Sequence, residues 1–150
     1  MNYWLMKSEP NAYSIDDLQQ EKTSMWEGCR NYQVRNLLRD QMRIGDLAFF
    51  YHSSAKPSGI VGAMKIVSDS YPDPTQYDPK SKYFDPKSSP LKPIWYVRDV
   101  EFVEKWSKIL SIEELKKAPE LEKLAAIQKG QRMSITPVTP KEWEKINELK

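Results

Sequence analysis

The chain has 150 residues, 39% of them hydrophobic and 29% charged, the size and composition of one globular domain rather than a disordered or fibrous chain. One cysteine and one histidine exclude an internal disulfide and an ordinary four-ligand zinc site. A net charge of +2 is too small to mark a nucleic-acid binder by bulk basicity. No signal-peptide pattern and no apolar run of about 18 residues is present, so neither export nor a membrane span is expected, and a reducing cytoplasm is the expected location.

Tyr3 to Lys7 is a short apolar run ended by Ser8-Glu9-Pro10 and reads as the first strand. Ser14 and Asp17 stand at capping-box spacing and open a short helix. Asn31 caps the next helix, in which Val34, Leu37, Leu38 and Met42 recur as a buried stripe. Gly45-Asp46 turns the chain into a nearly continuous apolar strand, Leu47 to Tyr51, and Gly59 to Val67 follows as another. Residues 70–93 hold six of the eleven prolines together with Tyr71, Tyr77, Tyr83 and Phe84. That density of proline excludes a central strand and predicts a long ordered loop of the kind that carries function. Ile94 to Phe102 is strand-like again. Ser111 and Glu114 form a capping box for a helix, and Pro119 starts a second one running to Ile127. Arg132 to Val138 is the last strand, and Thr139, Pro140 and Glu142 open the closing helix. The sum is an α+β domain over residues 1–150: a small, partly closed mixed β-barrel of five or six strands flanked by short helices, with no internal repeat or linker.

Catalytic signatures are scarce. His52 ends a strand in Phe50-Tyr51-His52-Ser53-Ser54, but neighbouring residues on a strand point to opposite faces, so His52 and Ser53 cannot meet as base and nucleophile. A nucleophile elbow and both glycine-rich phosphate cradles are absent. The Asp16-Asp17 and Glu113-Glu114 pairs sit where helix N-termini attract negative charge, which explains them without catalysis. Arg30 beside Cys29 would lower the thiol pKa on charge grounds alone, although a lone cysteine more often packs. The sequence calls for no cofactor and no metal.

Binding features are easier to find. Arg35, Arg39 and Arg43 recur every four residues along one helical edge, suited either to phosphates or to a solvated face. Trp26, Tyr32, Tyr51, Tyr71, Tyr77, Tyr83 and Trp95 fall near strand ends or in the proline loop. Stacking on such rings is how proteins hold bases taken out of a duplex or read from single strands.

Several motifs occur together. Tyr3-Trp-Leu-Met-Lys-Ser-Glu-Pro10 opens the chain, and Trp26-Glu-Gly-Cys-Arg-Asn-Tyr-Gln-Val-Arg-Asn36 follows. Phe50-Tyr-His-Ser53, Ile60-Val-Gly62, Tyr71-Pro-Asp73, Tyr83-Phe-Asp-Pro-Lys87, Trp95 and Arg132-Met-Ser-Ile-Thr-Pro-Val138 come next. In this order they resemble the EVE domain family over essentially the whole chain. The resemblance implies a PUA-like barrel, related to the YTH readers of methylated RNA bases, and a non-enzymatic domain binding nucleic acid that carries a modified base. Modified cytosine in DNA is the best candidate, with RNA an alternative. Cys29 and Val34 depart from the residues usual beside the pocket and put its width in question; Arg98 is a third departure.

The site expected from motif order comprises Lys7, Ser8, Trp26, Arg30, Asn31, Tyr32, Arg35, Asn36, Tyr51, His52, Ser53, Tyr83 and Trp95. Trp26 and a second ring, Tyr51 or Trp95, would sandwich the base. Asn31, His52 and Ser53 would meet its hydrogen-bonding edge, and Lys7, Arg30 and Arg35 the flanking phosphates. Trp26→Ala is expected to remove affinity and spare the fold, and Arg35→Ala to flatten the salt dependence. Two other classes compete: a hydrolase or ribonuclease of the related ASCH type working through His52 and Lys7, and a protein-interaction module built on the proline loop. Oligomeric state is left open.

Overall fold

The structure is a computed structural model describing residues 1–150. Eight strands form, in chain order β1 (Tyr3–Ser8), β2 (Thr23–Met25), β3 (Leu47–His52), β4 (Gly59–Ile66), β5 (Tyr71–Pro72), β6 (Tyr96–Val97), β7 (Asp99–Ser111) and β8 (Ile135–Val138). Four α-helices accompany them: α1 (Ile15–Glu21), α2 (Tyr32–Asn36), α3 (Ile112–Lys117) and α4 (Pro140–Leu149). Six strands make one mixed sheet in the order β2-β7-β4-β3-β1-β8, while β5 and β6 pair separately. Only β1 and β3 run parallel, Tyr3 opposite Leu47 through Ser8 opposite His52. The outer strands β2 and β8 do not pair, so the barrel closes only in part.

Strand alternation divides the apolar residues between the two faces of this sheet. Trp4 and Met6 of β1, with Ala48 and Phe50 of β3, face a core covered by Ile15 and Leu18 of α1 and by Val34, Leu38 and Met42. Leu5, Phe49 and Tyr51 face the opposite way, onto Leu115, Leu121, Leu124 and Ile146. Because β1 and β3 are buried on both faces they read as continuous apolar runs rather than as alternating ones. Phe49 is stacked on Trp143 of α4 with ring centroids 3.9 Å apart. At Gly62 the strands approach so closely that a Cβ would lie 2.2 Å from the Glu104 carbonyl oxygen, which leaves room for no larger residue.

The three expected capping boxes form, Ser14 with Asp17, Ser111 with Glu114 and Thr139 with Glu142. Asn31 accepts from the Val34 amide as N-cap of α2. The helix expected through Met42 is there, but from Leu37 to Gln41 it widens into a π-turn. Buried Arg98, 3% exposed, donates to the carbonyls of Leu38, Arg39 and Ser68, providing partners for a widened helix end. Three expectations need correction. Residues 119–127 form two separate 3₁₀ turns, Pro119–Leu121 and Ala125–Ile127, rather than one helix. The strand expected to stop at Phe102 breaks at Arg98 and then runs to Ser111, its outer half held by β4 across two register shifts. The short edge strand β2 was not anticipated. The proline loop is ordered around buried Gln76, whose side chain donates to the carbonyls of Asp73 and Trp95 and accepts from the amides of Ile94 and Trp95.

Candidate nucleic-acid interface

The ends of β1 and β3 and the segment before β8 meet at one rim of the barrel. There the Lys7 amide donates to Ser134 O at 2.8 Å and the Ser53 amide to Ser8 O at 3.0 Å. Above them Trp26 leaves β2, its own amide held by Arg98 O, and the chain turns at Gly28. The result is a cleft of about 660 Å³, within the roughly 300–1,000 Å³ range of small-molecule sites. Trp26 and Tyr83 are its aromatic lining; Lys7, Lys82 and Arg132 supply cations, Glu9 and Glu27 carboxylates, and Ser53 a hydroxyl.

Trp26 sits edge-on against Phe50, with centroids 5.4 Å apart and planes at 81°. Trp4, Trp95 and Trp106 each give their indole N–H to a carboxylate. No protein acceptor takes the Trp26 N–H, and Thr136 Oγ1 is the one buried side-chain polar atom lacking a partner, so the unpaired Trp26 donor reaches solvent. Gly28, at φ +85°, is what admits Tyr83: a Cβ there would lie 2.5 Å from the Tyr83 ring.

Electrostatics in the cleft follow from partial burial. Burial raises the Glu27 carboxyl above the usual range, with nearby Asp73 adding to the effect against Lys82 and Arg30. Burial lowers the Lys7 ammonium, which sits 5.3 Å from the Tyr51 ring centroid and donates to Ala126 O at 3.4 Å. Cys29 also lines the cleft, and burial raises its thiol pKa more than Arg30 lowers it. The charge-based expectation of an activated thiol is therefore corrected.

Of the expected site residues, the cleft gathers Lys7, Ser8, Trp26, Ser53 and Tyr83. The others stand elsewhere. Arg30 lies behind Tyr83, donating to its carbonyl at 2.7 and 3.0 Å and to Asp73 and Thr75. Burial pushes the Asp73 carboxyl up, but bonds from Thr75, Gly28 and Arg30 outweigh it and hold the group below its usual range. Arg30 thus fixes the wall of the cleft. Tyr32, Arg35, Asn36 and Trp95 form a separate cluster: Tyr32 packs on Trp95 at 4.9 Å, Arg35 lies 4.9 Å over Tyr32, and Asn36 accepts from Arg35. Trp95 and Tyr51, both buried, are not part of the lining and offer no ring to a base in this cleft. Asn31 spends its side-chain oxygen on the Val34 amide. His52 accepts the Ile15 amide at Nε2, 3.1 Å away, closing the start of α1 rather than pairing with Lys7 or a serine.

Sequence reasoning missed Glu27, Lys82, Gln131 and Arg132, which line the same cleft. The signal for three of them was adjacency, since each neighbours or belongs to a motif already singled out: Glu27 follows Trp26, Lys82 precedes Tyr83, and Arg132 opens the last motif. Trp26 is 8% exposed and part of the first core, so Trp26→Ala cannot spare the fold as the sequence suggested.

A partly closed mixed barrel with one aromatic and cationic cleft at its rim defines a PUA-like α+β domain. The family model for the EVE domain matches residues 2–149, and the chain belongs to that family. Thymocyte nuclear protein 1 of Mus musculus is 42% identical over 166 residues, covering 99% of this chain and 73% of the mouse protein. Among solved structures, a Pseudomonas syringae protein superposes with a TM-score of 0.95 at 48% identity, covering 98% of each chain. Human THYN1 in complex with 5-methylcytosine-containing DNA gives a TM-score of 0.91 at 38% identity, covering 99% of this chain and 97% of the human one. A Zymomonas mobilis ASCH protein, 8% identical with a TM-score of 0.57, shares the fold alone.

Proposed function

We propose that this protein is a non-enzymatic nucleic-acid-binding domain that holds one extruded base, modified cytosine in DNA foremost, in the cleft between Trp26 and Tyr83. The observation that carries the reading is the meeting of two aromatic rings, an unpartnered indole donor, two carboxylates and three cations in one cleft built from separate chain segments. The human relative's complex with 5-methylcytosine-containing DNA supports the choice of base.

Each group has work to do. Stacking on Trp26 and Tyr83 contributes about 1–3 kcal/mol per base and is blind to base identity. Glu27 provides identity: a carboxylate accepts the exocyclic amine of cytosine, while the keto oxygen of thymine or uracil at that position repels it. A 5-methyl group entering an apolar recess adds about 0.8 kcal/mol, or roughly fourfold in affinity. Lys7, Lys82 and Arg132 neutralise phosphates at the mouth. His52, with Nε2 committed to the Ile15 amide, is occupied in the one role a hydrolytic mechanism would need it for.

The test is binding of the purified protein to matched single- and double-stranded oligonucleotides carrying cytosine, 5-methylcytosine, 5-hydroxymethylcytosine or N6-methyladenine. The reading expects tightest binding to a modified cytosine, by several-fold over cytosine. Equal weak binding to all four, abolished by salt, overturns it.

A further inference from the structure

A second cleft, of about 790 Å³, adjoins the first and shares Lys7 and Gln131 with it. Its lining includes Lys7, Lys116, Lys117 and Lys129, with Glu122 the single acid. That is a net three positive charges along one groove, in a chain whose whole net charge is +2. Outside this groove the molecule is close to neutral, so the modest overall basicity conceals a concentrated field.

None of these four lysines joins any of the six ion pairs of the protein. Lys116 and Lys117 occupy the last turn of α3, where a cation also complements the helix dipole. That accounts for two of the charges but not for Lys7 and Lys129, which come from other segments to line the same cleft. The segments that line the groove are anchored: Ala126 of the lining and the neighbouring Leu115, Leu121 and Leu124 are buried in the second core. Its far wall is tied by the Gln128 side chain to the carbonyls of Glu122 and Leu124, and by Gln131 to Ala125 O. Lysines on a rigid, polar, open groove continuous with a base pocket suit a phosphodiester backbone, which carries one charge per nucleotide.

We infer that the nucleic-acid strand leaving the base pocket runs through this second cleft, its phosphates paired with Lys116, Lys117 and Lys129, and with Lys7 at the junction of the two clefts. The inference rests on the base-binding reading for the starting point of the strand. It assigns the second cleft to backbone contact that carries affinity but no base identity.

The experiment compares the wild-type chain with Lys116→Gln/Lys117→Gln/Lys129→Gln, and with a control triple at exposed loop lysines, Lys56→Gln/Lys87→Gln/Lys92→Gln. Probes are oligonucleotides with a central 5-methylcytosine or cytosine, and 5-methyl-deoxycytidine monophosphate alone. For the cleft variant, the slope of log affinity against log salt should become shallower by about two to three, since each lost phosphate contact removes roughly 0.7–0.9. The modified-to-unmodified ratio and the affinity for the mononucleotide should stay unchanged, as should the slope of the control. Lys129→Gln alone, in an exposed turn, should shift the slope by about one and guards against a folding defect in the triple variant. An unaltered slope in the cleft variants, or an equal change in the control, overturns the inference. A wild-type protein blind to the modification sinks the base reading instead, and the slope comparison still stands on unmodified DNA.

Discussion

Gly28→Ala is the sharpest perturbation of the cleft that leaves every charge in place. Two costs can be worked out from the structure. Gly28 holds φ +85°, a region where a Cβ costs about 1–2 kcal/mol. The new Cβ would also lie 2.5 Å from the Tyr83 ring, so either the ring or the turn must move. Tyr83 is held through its carbonyl by two bonds from Arg30, and the turn by the Gly28 amide donating to Asp73 at 3.0 Å. Losing that charge-assisted bond costs about 1.5–3 kcal/mol. The sum, about 2.5–5 kcal/mol, corresponds to a fall in Tm of roughly 5–20 °C at this chain length. Thermal unfolding reads the total, and a double-mutant cycle with Tyr83→Ala separates the parts. Removing the ring relieves the overlap but not the backbone strain, so a coupling of about 1.5–3 kcal/mol is expected between the two substitutions. Additive effects within about 0.3 kcal/mol, or an unchanged Tm for Gly28→Ala, would refute the claim that this glycine makes room for Tyr83.

Four further outcomes follow from the same structure. Trp26→Ala should lower stability by about 3–5 kcal/mol because the ring is core as well as cleft; Trp26→Phe should stay folded yet bind a modified oligonucleotide more weakly, and equal binding would count against stacking. Burial lowers the His52 pKa, with Lys105 adding and Asp16 opposing, so the unfolded chain takes up its proton near pH 6.5 while the folded one resists. The His52 contribution to stability is therefore full above about pH 6.5 and declines as pH falls toward the lowered folded value; denaturant midpoints should drop between pH 7 and pH 5.5 in the wild type and less in His52→Gln. Arg98→Met leaves the carbonyls of Leu38 and Ser68 without their donor and should cost about 1–3 kcal/mol by chemical denaturation. Cys29, with its thiol pKa raised by burial, should react with iodoacetamide at pH 7.5 more slowly than a free cysteine. Because it lines the cleft, saturating modified oligonucleotide should slow that reaction further, and absence of protection would place the ligand elsewhere.

Much of the fold was legible because its signals are local. Capping boxes at Ser14, Ser111 and Thr139 and the apolar runs of β1, β3 and β4 depend on residues within a few positions of each other. The failures came where tertiary partners decide. Residues 103–111 alternate among charged, polar and apolar types that suit exposed structure of any kind, and become strand through pairing with β4. Residues 119–127 satisfy helix-start rules at Pro119, yet burying Leu121, Leu124 and Ala126 together in the second core goes with two tight turns instead.

The site was half legible for a similar reason. Motif order picked out Trp26, Lys7, Ser53 and Tyr83, but rings and cations of the same types serve the scaffold. Trp95 and Tyr51 are enclosed, Arg30 is spent on Asp73 and the Tyr83 carbonyl, and His52 on an amide. Nothing in residue type separates an arginine that meets a phosphate from one that braces a loop. Lys116, Lys117 and Lys129 of the second cleft escaped notice because they join Lys7 only when α3 and the turns after it pack against the end of β1.

The most direct test of the central claim is an NMR titration of the tryptophan indole N–H signals with a short 5-methylcytosine oligonucleotide. The five indoles are spread over the molecule, and Trp106 and Trp143 lie with Phe49 in the second core, on the other face of the sheet from Trp26. A base held in the proposed cleft should shift the Trp26 signal most and leave those of Trp106 and Trp143 in place. Largest shifts at Trp106 or Trp143, with Trp26 unmoved, would contradict it.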